Sequence, residues 1–156
     1  MTQIADKQLA DTRPRTFGWP AVFIGVLCVA AVFFALRGII SAAIDFTAGE
    51  PLAATGTILS ALAWVCGGVG LAHNGRRMRR VAWSAWALNT VVPILTLAFQ
   101  SDWLNSASPW FSGGSTYFYL PTVGAALALG WLFWSQPARV AARNAKPASE
   151  NTTANN

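Results

Sequence analysis

Arg37, Ser41 and Asp45 are spaced four residues apart, so a continuous helix would carry a cation, a hydroxyl and a carboxylate on one face. Side chains of those types close together can clamp a small charged ligand or a partner's loop. Glu50 and Asp102 are the acids that follow, and with Arg37, Ser41 and Asp45 they form a candidate outer polar site. Asn89 and Pro93 are a second polar pair at a spacing of four. A proline inside a helix has no N–H for the carbonyl four residues back, which frees the Asn89 carbonyl and implies a kink. The Asn89 amide is then expected to bond a neighbouring helix. The same two residues would also suit a substrate path.

Other reactive residue types are sparse. His73 is the single histidine, so a bis-histidine haem site within one chain is ruled out, and His73 reads as an interfacial residue. Cys28 and Cys66 both fall in apolar runs and read as packing residues, too few and too buried in pattern for a disulfide framework or a zinc site. Ser, His and acid are not grouped, no phosphate-binding loop is present, and no acidic cluster suits a metal. The expectation is a non-enzymatic chain with no metal and no cofactor.

The elements that must carry these residues are apolar. The 156 residues are 54 % hydrophobic and only 11 % charged, against about 25 % charged in ordinary soluble domains. Four uncharged runs stand out: Phe17 to Leu36, Pro51 to Ala72, Val81 to Phe99 and Thr116 to Trp134. About 20 apolar residues of helix span the roughly 30 Å hydrocarbon core of a bilayer. Alternation of polar and apolar residues, which a membrane barrel requires, is missing. The expected fold is an all-α membrane protein, one bundle of four transmembrane helices at about 17–44, 51–73, 80–100 and 116–135. Residues 1–16 are expected to form a flexible tail without a secretory signal, and residues 136–156 a polar, partly disordered tail.

Basic residues set the expected orientation. Ten of the eleven lie in the two tails or in "GRRMRR", which holds Arg76, Arg77, Arg79 and Arg80; Arg37 is the exception. With four spans, both tails and that connection share one side. Lys and Arg in short connections stay cytoplasmic, so both termini are expected in the cytoplasm of a bacterial cell, with the chain in its inner membrane. The arginine run reads as a topology determinant and a contact to anionic headgroups, about 1 kcal/mol per charge. It is too short, and too poor in interleaved aromatics, for nucleic acid. Trp19, Trp83, Trp86, Trp131 and Trp134 are expected near the inner headgroups and Trp103 and Trp110 at the outer ones, with Trp64 alone deep in the bundle.

Small residues on the second run, Gly56 with Ser60, Ala63 with Gly67, and Cys66 with Gly70, allow close helix packing within the bundle or between copies. The connection Gln100 to Tyr119 is rich in Trp, Phe and Tyr and reads as a loop lying on the outer interface. The first run has no membrane-embedded Glu of the kind found in small multidrug antiporters, and the outer connections lack the cysteines of tetraspanins. The function expected is an accessory or interaction subunit that binds other membrane proteins or itself; the alternative is a small oligomeric transporter or channel subunit. A redox subunit is the weakest reading.

Overall fold

The computed structural model describes residues 18–73, 75–99 and 103–135. Both tails and Asp102 lie outside the described residues. The fold is all-helical: α1 Trp19–Thr47, α2 Pro51–His73, α3 Arg76–Ala98, a 3-10 segment Phe111–Tyr117, and α4 Leu120–Trp134. Helices α1, α2 and α3 are each long and apolar enough to cross a membrane. The 3-10 segment and α4 meet at 106° and count as a fourth span only if that bent pair crosses as one. The chain is an integral membrane protein of three to four spans.

Each helix start has a local cause. Pro20 and Pro121 stand in the first turns of α1 and α4, where a missing N–H costs nothing. α1 ends at a turn in which Gly49 adopts φ +81° and the Glu50 N–H bonds the Asp45 carbonyl at 2.9 Å. The arginine run is not a loop: Gly75 is the N-cap of α3, and Arg76 to Arg80 form its first turns. Arginine is a good helix former, so the connection between α2 and α3 shrinks to residues 74–75. α4 is shorter than the expected 116–135. Its 15 residues reach about 22 Å, because Phe118 and Tyr119 take left-handed backbone at φ 54° and 61° and break the helix before Leu120.

An aromatic spine ties the elements together. Tyr117 lies edge-on to Phe34 of α1 at 5.1 Å. Phe34 packs on Trp64 of α2 at 4.8 Å, and Trp64 meets Trp86 of α3 at 4.9 Å and 88°. The Trp86 indole N–H donates to the Gly67 carbonyl at 3.1 Å. Trp86 and Trp110 are therefore core residues, a correction to the interfacial positions expected for them, and Trp64 is not alone. Edge-to-face pairs add about 0.5–1.5 kcal/mol each beyond area burial.

The small residues of α2 divide by partner. Gly67 and Gly70 admit α3, Gly56 admits the loop after α3, and Ser60 and Ala63 are buried beside that loop. Cys66 is exposed, so of that pair only Gly70 packs within the bundle. Arg79 has an additional role inside the bundle. Its Nη2 donates to the Leu132 carbonyl at 2.6 Å and to Ser135 Oγ at 3.1 Å. A cation at a helix C-terminus satisfies free carbonyls and opposes the dipole, so Arg79 fastens α4 to α3. Arg77 and Arg80 are exposed.

A β-carbon at Gly67 would sit 2.6 Å from the Trp86 ring, and one at Gly70 would sit 2.9 Å from backbone atoms of Met78 and Ala82. Gly67→Ala and Gly70→Ala should each lower stability by about 1–3 kcal/mol, the cost of overpacking. Gly25 has open space around it, and Gly25→Ala should be neutral or stabilising by up to about 1 kcal/mol. Thermal unfolding of the three variants in detergent checks the contrast.

Candidate functional site

Among its described residues, the connection between α3 and α4 enters the bundle from Leu104 to Trp110. Leu104, Ala107, Ser108, Pro109 and Trp110 are all buried, with Ser108 fully so. Ser108 Oγ is 3.1 Å from Ser60 Oγ. Trp110 donates its indole N–H to Asn89 Oδ1 at 2.8 Å. Ser60 lies nine residues inside α2 and Asn89 nine residues from the end of α3, so the loop penetrates about 14 Å. The expected interfacial loop is thus corrected to a re-entrant plug. The expected partner of Asn89 is corrected with it: the plug, not a neighbouring helix.

Non-helical backbone at such depth needs partners from protein, since lipid supplies none. Thr96 Oγ1 lies 2.6 Å from the Trp110 carbonyl and 2.9 Å from that of Pro93, and accepts from the Gly113 N–H at 3.4 Å. The Ala107 N–H bonds its neighbour Asn105 Oδ1 at 2.7 Å, and the Ala107 carbonyl accepts from the Tyr117 hydroxyl at 2.8 Å. Thr122 Oγ1 donates to the Gly113 carbonyl at 2.6 Å. Gly113 and Gly114, at φ +73° and +83°, make the turn that brings the chain back out. Helix α3 continues through Pro93 to Ala98.

The outer polar residues separate into two groups. Asp45 is buried, 4 % exposed; its Oδ1 accepts from Asn105 Nδ2 at 2.6 Å, while Oδ2 has no hydrogen-bond partner among the described residues. Arg37 does not pair with Asp45. Its Nε donates to the Tyr117 hydroxyl at 2.7 Å. Arg37 and Ser41 line a groove of about 430 Å³ with Asn105, Ser106, Phe33 and Leu36. Glu50 is exposed in the α1–α2 turn and does not line that groove. Asn105 and Tyr117, absent from the sequence-derived set, are the residues that organise the site. Their signal was available: a carboxylate and an arginine on an apolar helix need polar partners, and this connection is the polar segment long enough to supply them.

Three further buried polar atoms lack partners among the described residues: Thr57 Oγ1, Trp64 Nε1 and Asn89 Nδ2. Of these, Asn89 stands at the seat of the plug, Thr57 faces Gly38 of α1, and Trp64 belongs to the aromatic spine. Among the described residues no cluster of His, Cys, Asp and Glu suits a metal ion. The chain matches no known protein-family model, and comparison with curated proteins and with solved structures finds no similar chain.

Removing the Asn89 amide strands the Trp110 N–H in the core. Asn89→Ala should cost about 1–3 kcal/mol. In a cycle with Trp110→Phe the coupling should be about 0.6–1.7 kcal/mol, the range for hydrogen bonds inside membranes. A cysteine placed at Ser108 should resist a water-soluble maleimide in the parent protein and react in the Asn89→Ala background. Equal reaction in both would show that this bond does not hold the plug.

Proposed function

We propose that this chain is a non-enzymatic accessory subunit of a bacterial cytoplasmic membrane, one that engages other membrane proteins laterally. The observation that carries the reading is the plug. Ser60, Asn89 and Thr96, the residues best placed to line a path through the bundle, are spent on holding the protein's own loop. Outward, α1 presents a continuous apolar surface that includes Val29, Val32, Leu36, Ile39 and Ile40. Such a surface suits lipid and helical partners equally. The transport alternative would require the plug to withdraw and Asn89 to exchange Trp110 for a substrate.

The charge distribution supports both termini in the cytoplasm, with the plug entering from the opposite side. On this reading the Phe111–Tyr117 segment and α4 together complete a fourth crossing, and Arg77 and Arg80 meet anionic headgroups. A reporter that fluoresces only in the cytoplasm, fused after Asn156, should be bright. A dark fusion that is stably expressed would mean that the broken fourth span re-enters and leaves on the same side.

The accessory role is tested by photo-crosslinking from Val29 or Ile39 in native membranes, followed by native mass spectrometry of the intact assembly. A defined heteromeric product from these positions is the expected result. A homo-oligomer carrying a small bound mass, without foreign subunits, would favour transport.

A further inference from the structure

Helix α1 packs along α2, and α4 packs along α3, but α1 and α4 make no extended contact with each other. A trough of about 430 Å³ lies between them, lined by Leu27, Ala30, Phe34, Trp64, Gly124 and Leu127 among others. It is closed at one end where Phe23 meets Trp131 at 6.1 Å, and narrowed at the other where Tyr117 meets Phe33 at 6.0 Å. Phe33 also lines the polar groove that holds Arg37, Ser41 and Asn105. The two recesses therefore adjoin: a polar head and an apolar tail, each within the usual size range of ligand sites.

Arg37 is held for use at the head. The Tyr117 hydroxyl accepts from its Nε and donates onward to the Ala107 carbonyl, so the buried plug fixes the guanidinium. Of the five guanidinium N–H donors, the Nε–H is engaged, and the Nη groups have no protein partner among the described residues. Their planar fork matches a phosphate. Asp45 does not line the groove; Asn105, which does, binds it. From Arg37 back to Phe23 is fourteen residues of α1, about 21 Å of helix, more than the roughly 15 Å of hydrocarbon in one leaflet.

We propose that this composite recess binds one phosphate-bearing, long-chain anionic amphiphile, with its phosphate on Arg37 and its chain in the α1–α4 trough. Free phosphate shares the head chemistry but leaves the trough unfilled. The site does not depend on a protein partner, so its test is separate from that of the accessory role.

The test is native mass spectrometry of the full chain, released from detergent with either phosphatidylglycerol or a diacylglycerol of the same chains. One phosphatidylglycerol per chain should be retained, at least about tenfold over diacylglycerol. Equal retention of the two lipids overturns the proposal and needs no variant. Arg37→Gln should reduce phosphatidylglycerol retention about tenfold, and Arg37→Lys less, since the charge remains without the fork. Gly124→Leu fills the trough; a β-carbon there meets Trp64 at 3.6 Å and Leu27 at 3.8 Å, ordinary contacts, so the helix should fold. It should cut retention of the lipid similarly. Circular dichroism melts confirm folding of each variant. Inorganic phosphate that binds wild type and Gly124→Leu as tightly as wild type binds phosphatidylglycerol would overturn the amphiphile in favour of a free-phosphate site.

Discussion

A backbone amide carried into hydrocarbon must find its hydrogen bond within the protein, and this molecule carries a whole irregular loop there. The rest of the structure answers that demand. Thr96, Asn89 and Ser60 point inward from α2 and α3 because the plug between Leu104 and Gly114 needs donors and acceptors at those heights. Thr122 and Tyr117 serve the returning arm. Small residues on α2 give the loop its volume: a β-carbon at Gly56 would collide with Trp103 and Leu104. The aromatic spine then sets the separation of the helices around it.

The same demand links the interior to the outer site. Tyr117 belongs to the plug's exit, yet its hydroxyl is the fixed point for Arg37. Asn105 belongs to the plug's entry, yet its amide holds Asp45. A change at Ser60 or Asn89 is therefore expected to reach the groove through two short covalent paths, without any contact to α1.

Much of the fold was legible from the sequence because hydrocarbon filters residues by charge. Four uncharged runs and the alanine-rich, proline-started segments suffice to give an all-helical membrane bundle. What escaped was governed by partners remote in sequence. Asn89 announces only that it needs a bond; that Trp110 supplies it depends on a loop folding inward. Arg79 reads as one of four equivalent arginines until α4 ends beside it. The break at Phe118 and Tyr119 was hidden because neither residue type favours left-handed backbone; their N–H groups bond back to the Ser115 and Gly114 carbonyls at 3.0 Å each. Gly56, Ser60 and Ala63 advertised a close neighbour without saying that the neighbour is a loop.

The plug's seat is shared between two helices that are consecutive in the chain, and its exit is bonded to a third that follows it. Ser108 and Trp110 are held by Ser60 and Asn89, and Gly113 is held by Thr122 of α4. The loop's seat is therefore conditional on elements that the chain supplies both before and after it. Neither the hairpin of α2 and α3 nor α4 carries the full set of partners alone. Helices set side by side do not complete this protein; the loop that returns between them does.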